Sequence, residues 1–180
     1  MTTVERPFPG KTVKIKPEQQ RDSGFLFFRS GNHYRLAAIE CAGKFRDPIV
    51  AFNEAEQWGI LHDPVCNLIG HAAELYLKAF LLAKGRTSKE LKNKGLGHNL
   101  LNLYSASEQE GLVLDEEYVD ALASLSSDYG EPPYIFRYPD IGKRKLNFLH
   151  GLFELLDALR DATFPTVRNH ARSLGTPVEE

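Results

Sequence analysis

The stretch HDPVCNLIGHAAELYLKAFLLAKG, His62 to Gly85, decides the fold. Asp63-Pro64 reads as an N-cap followed by the first helical position, and Gly85 as a C-terminal stop. At about 100° per residue, Val65, Leu68, Ile69, Ala72, Leu75, Tyr76, Ala79, Leu82 and Ala83 share one broad face. Cys66, Ala73, Leu77, Phe80 and Leu81 cover much of the other, which leaves Asn67, His71, Glu74 and Lys78 as a single polar stripe. Such a helix belongs inside a bundle or a dimer interface. Its stripe then has two readings. Glu74 and Lys78 could form an i,i+4 pair on a partly solvated edge, worth a few tenths of a kcal/mol, or the stripe could face a ligand.

The chain around it has 180 residues, 42% of them hydrophobic and 26% charged, which fits one domain with a sizeable core and flexible ends. A formal net charge of -2 argues against a wholesale nucleic-acid binder, although it allows a local basic patch. Cys41 and Cys66 lack metal-ligand spacing and read as reduced core residues of a cytoplasmic protein. The N-terminus MTTVERPFPG has no signal-like apolar region, and Lys78 interrupts the best membrane-span candidate, so no membrane association is expected.

The pattern predicts an all-α, antiparallel up-and-down helical bundle over residues 33–164. Residues 1–32 read as an extended or disordered arm. Within it, the run Phe25-Leu-Phe-Phe28 is either a short strand or a docking segment, and Ser30-Gly31-Asn32 reads as a turn. Helical spacing runs from His33 to Gly59, divided at Asp47-Pro48. Thr87-Ser-Lys-Glu90 resembles a capping box. His98-Asn99 opens a helix that stops near Gly111, Asp115 caps another that ends near Gly130, and Asp140 caps a last one, Ile141 to Thr163. Pro165 is expected to end that helix and to leave 165–180 as a loose tail.

Searches for a phosphate loop, a nucleophile elbow and paired metal-binding histidines find none, so no metal and no cofactor are expected. The start of the last helix is more informative. Lys143, Arg144 and Lys145 sit where free backbone N–H groups favour anions, and Arg137 stands among Tyr134, Phe136 and Tyr138. Cations beside stackable rings suit a phosphodiester, and the competing reading is a solvated basic turn beside a loop that plugs the bundle end. His150 follows Arg144 by six positions, about 120° around a helix. In a cleft shared by two subunits, the imidazole could move protons in RNA cleavage while the guanidinium stabilises the phosphorane.

HAAELYLKAFLLAKG at His71 to Gly85, followed by GHNLLNLY at Gly97 to Tyr104, resembles the HEPN superfamily of small helical bundles. The resemblance spans about His62 to Thr163. It implies a helical bundle, frequent homodimerisation and a link to RNA or nucleotides. Many catalytic members are metal-independent endoribonucleases of toxin–antitoxin, phage-defence or RNA-processing systems, so a cognate antitoxin or other protein partner is also implied. Their signature is an Arg, four to six residues, then a His, near the start of the last long helix; Arg144-KLNFL-His150 fits it. Where active members commonly carry Asn, Asp or His after the arginine, this chain has Lys145. The resemblance turns Glu74 toward the cleft, with Lys78 in support and His98 able to line it. Arg137, Tyr138 and Lys143 would hold substrate. The alternative is a non-catalytic helical module that docks a protein partner or a nucleotide.

Overall fold

Burial of a helix on nearly all sides requires neighbours on nearly all sides, and the central helix has them. The computed structural model describes residues 23–43, 55–93, 95–130, 132, 136, 149–176 and 178, with backbone alone over 55–61. Five α-helices and no strand occur among them: α1 (Gly24–Ala42), α2 (Ala55–Ala83), α3 (Leu100–Gln109), α4 (Glu116–Gly130) and α5 (Leu149–Ser173). A short 3-10 turn, Glu90–Lys92, lies between α2 and α3. The fold is all-α, as expected. Helix α2 packs against all four other α-helices. From Ala72 to Leu82 every residue of it is buried, and each large apolar side chain there contributes about 1.5–3 kcal/mol of transfer free energy.

Small residues let α1 lie close on α2. A Cβ at Gly24 would fall 2.5 Å from the Ala79 carbonyl oxygen, and one at Gly31 would fall 2.9 Å from the Tyr76 ring. These contacts run α1 antiparallel to α2. Phe28 stacks on Phe164 at 5.2 Å and meets Tyr76 at 5.3 Å, while Arg35 pairs with Asp157, so α1 is antiparallel to α5 as well. Tyr76 then donates its hydroxyl to Asn32 Oδ1 at 2.8 Å.

Several expectations are corrected. The expected boundary at 32/33 falls inside α1, because Phe28, Gly31 and Ala38 form one helical stripe against α2 and α5. The Phe25 to Phe28 run is therefore helix. Helix α2 begins before Asp63 and passes through Pro64, and α5 passes through Pro165, so the expected boundary at 164/165 also falls inside a helix. Proline inside a helix costs about 3 kcal/mol. At both sites core contacts continue on either side of the proline: His62 and Val65 around Pro64, Thr163 and Val167 around Pro165. Cys66 is buried but Cys41 is exposed. The up-and-down order also breaks at one step. Glu74 meets His98 and Arg86 meets Glu110, so α2 and α3 run in the same direction. The described residues between the two helices, 84–93 and 95–99, lie in the connection that returns along the bundle.

The local signals in that connection behave as expected. Gly85 has φ 94°, and Arg86 N–H and Gly85 N–H bond the carbonyls of Leu81 and Leu82, a Schellman ending that a left-handed residue makes possible. Thr87 and Glu90 form the reciprocal capping box: Glu90 Oε2 accepts from Thr87 N at 2.7 Å, and Thr87 Oγ1 accepts from Glu90 N at 3.3 Å. Asn99 caps α3 by accepting from Asn102 N at 2.9 Å. By length and composition His62–Ala83 is sufficient to cross a membrane despite Lys78, and 78% of its apolar window is buried within the bundle.

Candidate functional site

The polar stripe of α2 does not face solvent at its centre. Glu74 is 3% exposed and Lys78 is 9% exposed, so the pair expected on a solvated edge is a buried ion pair. Lys78 Nζ lies 2.6 Å from Glu74 Oε1. The other carboxylate oxygen, Oε2, accepts from the Tyr129 hydroxyl at 2.7 Å and meets His98 Nδ1 at 3.0 Å. His71 Nδ1 is 3.2 Å from the Tyr129 hydroxyl and 3.9 Å from Glu74 Oε2. Four side chains, from three parts of the chain, thus converge on the Glu74 carboxylate.

Backbone geometry places them. His71, Glu74 and Lys78 share a face of α2 by their i, i+3, i+7 spacing. Tyr129 reaches Glu74 because Gly70 leaves room for its ring, into which a Cβ at 70 would collide. Gly130 likewise lets the end of α4 lie against the His98 carbonyl. His98 sits just ahead of the Asn99 cap, so the start of α3 fixes its backbone. The Tyr34 and His71 rings meet in a T-shaped contact, their centroids 4.3 Å apart and their planes at 86°.

The electrostatics follow from this packing. Burial opposes charge on Glu74, but the His71 imidazole, the Lys78 ammonium and the His98 imidazole outweigh it and hold the carboxyl well below its ordinary range. An ionised carboxylate only accepts, so His98 presents Nδ1–H to it and, when neutral, keeps its lone pair on Nε2. The Tyr129 hydroxyl donates to Glu74 and can accept from His71 Nδ1–H. His98 is 55% exposed at its side chain and His71 34% exposed, so the buried carboxylate is connected to solvent through two imidazoles. A carboxylate that orients an exposed imidazole equips it for proton transfer.

Of the residues predicted from sequence, Glu74, Lys78 and His98 are brought together. His150 is not joined to them by any hydrogen bond among the described residues. It lies in the first turn of α5, 87% exposed at its side chain, 3.3 Å from Glu154 Oε1. Arg137, Tyr138, Lys143 and Arg144 lie outside the described residues. Phe136 is buried in the core. Sequence reasoning missed Tyr129. The available signal was Gly70, a residue without a side chain in a helix otherwise packed with bulk, which marks a close approach by another element.

Another titratable pair is closed off. Cys66 Sγ lies 3.6 Å from His62 Nε2, and burial, with Asp63 and Asp128 nearby, pushes the thiol up to about 12. That thiol is inert at neutral pH. Among the described residues no group of three or more His, Cys, Asp or Glu side chains is arranged to hold a metal ion.

Compared with protein-family models, with curated proteins and with solved structures, the chain matches none.

Proposed function

We propose that this protein is an RNA- or nucleotide-binding helical bundle of the HEPN kind that works as a homodimer and cleaves RNA without a metal ion. The observation that carries the reading is the Glu74–His98 contact, 3.0 Å between Oε2 and Nδ1, with the carboxylate buried and the imidazole exposed. Desolvating a carboxylate and an ammonium costs several kcal/mol per ion. A fold that needed only stability would do as well with apolar residues at 74 and 78. Strongly perturbed groups opening onto solvent are typical of working sites.

In this reading, His98 is the oriented imidazole, its Nε2 available to take the 2′-hydroxyl proton as that oxygen attacks phosphorus. His150, contributed across the dimer, protonates the departing 5′ oxygen. Arg144 stabilises the charge on the phosphorane, while Arg137, Tyr138 and Lys143 hold the strand. Lys78 keeps Glu74 ionised. In a toxin–antitoxin or defence setting, a cognate protein would cover this site.

The test is cleavage of a mixed RNA pool in EDTA by the wild type, His98→Ala and His150→Ala. The wild type should cut, and each variant should lose about 10²- to 10⁴-fold in rate, the usual contribution of a proton-transfer group. Retained cleavage in both variants would sink the assignment. RNA binding without cleavage by the wild type would favour the second reading, a non-catalytic module that docks a protein or nucleotide. That reading draws on the apolar surface of α1, where Leu36 is 53% exposed and Tyr34 38%.

A further inference from the structure

A cavity of about 640 Å³ opens between α1, α2 and the 3-10 turn, within the roughly 300–1,000 Å³ of small-molecule sites. Leu26 and Phe27 of α1, Leu75 of α2 and Leu91 of the turn form apolar walls. The charged groups on its lining are Lys78 and Lys92, and among the described residues no acidic side chain lines it. Leu91 is buried and packs as part of the core, so that wall is fixed. The Thr87–Glu90 capping box holds the turn that carries Lys92.

An exposed ammonium, that of Lys92, and a second one already paired with Glu74, that of Lys78, stand in a largely apolar lining. We infer that this cavity binds a small organic carboxylate with an apolar body, its head on Lys78 and Lys92 and its chain against Phe27, Leu75 and Leu91. The head group is anionic because Lys92 brings an ammonium to the lining, and Lys78, although its charge is paired with Glu74 at 2.6 Å, keeps N–H donors beyond the one it directs there. An ammonium has three N–H donors, and Lys78 directs one at Glu74. Its partial burial makes a charge-assisted hydrogen bond there stronger than one in water. The body is apolar because Leu26, Phe27, Leu75 and Leu91 form most of the lining, where polar groups would lack partners; Ser30 and Ser88 are the other polar residues there. The cavity shares Lys78 with the site of the RNA reading but requires neither His98 nor His150.

Lys78 serves both the cavity and Glu74, so replacing it would disturb the fold. Wild-type protein alone therefore gives the primary test. Calorimetric titration at low ionic strength compares decanoate with decanol, which share a ten-carbon chain and differ in head-group charge. Decanoate should bind saturably at one site per chain, at least about tenfold more tightly than decanol, one charge-assisted contact being worth that much. Lys92→Glu should weaken decanoate about three- to tenfold and leave decanol unchanged, since the site is oppositely charged at its rim. Ser30→Trp, which places an indole on the lining of the cavity, should abolish binding of both while helical circular dichroism is retained. Absence of saturable decanoate binding by the wild type, or equal affinity for the two ligands, overturns the inference. So does a folded Ser30→Trp variant that binds decanoate as the wild type does.

Discussion

Two side-chain pairs in this molecule have the same helical spacing and different surroundings. Glu74 and Lys78 on α2 are four residues apart, as are His150 and Glu154 on α5. The first pair is almost sealed, with side chains 4% and 11% exposed; the second stands in water at 54% and 87%. In a helix the i,i+4 distance is fixed by the backbone, so spacing alone cannot distinguish them. Burial decides their energetic roles. In the sealed pair each charge depends on the other, and Tyr129, His98 and His71 are arranged to satisfy the remaining oxygen. In the exposed pair, water replaces either partner at little cost.

The comparison breaks most visibly if the sealed carboxylate is removed. Glu74→Ala leaves Lys78 charged and buried, and the Tyr129 hydroxyl without its acceptor. Loss of about 3–5 kcal/mol is expected, the range for breaking a buried pair, measured as a shift of the urea midpoint at neutral pH. A loss below about 1 kcal/mol would mean that water reaches the pair in solution, and that its burial is not what distinguishes it.

Protonation tests the same carboxylate without mutation. Its folded-state pKa lies below the ordinary 4.5, so the unfolded chain binds its proton at higher pH than the folded one. Glu74 therefore contributes its full stability above about pH 4.5, and that contribution is lost progressively as the pH falls from there toward the folded value. Urea midpoints measured from pH 6 down to pH 3 should fall more steeply in the wild type than in Glu74→Gln. Parallel profiles would show that other carboxylates govern acid unfolding.

The same contrast explains what could be read from the sequence. The apolar circumference of α2, the stop at Gly85, the capping box at Thr87–Glu90 and the helix start at His98-Asn99 were legible because each is settled within one or two turns of chain. The N-terminal part of α1 was not. Ser30-Gly31-Asn32 reads as a turn locally, yet Gly31 is needed where the Tyr76 ring crosses α1, and Asn32 accepts the hydroxyl of that tyrosine. Pro64 and Pro165 misled in the same way, because packing on both sides of each carries the helix past a local break. Asn67, His71, Glu74 and Lys78 were legible as one stripe of α2. The burial of Glu74 and Lys78 was not, since the groups that seal Glu74 lie far away in sequence: His98 at a separation of 24 residues and Tyr129 at 55.

The smallest expected effect belongs to the exposed pair, and it is the one that separates function from folding. Substituting Ala at His150 removes an imidazole whose neighbour Glu154 is itself half in water. Exposed pairs contribute about 0–1 kcal/mol, and i,i+4 pairs on helices about 0.3–0.5. The urea midpoint of His150→Ala should therefore move by no more than that. A residue that the fold does not need is free to be kept for chemistry. If RNA cleavage collapses while the midpoint holds, the imidazole belongs to the reaction, since unfolding cannot account for the loss. A midpoint that drops as far as that of Glu74→Ala would instead place His150 in a contact that forms when two chains meet, because the single chain leaves it in solvent.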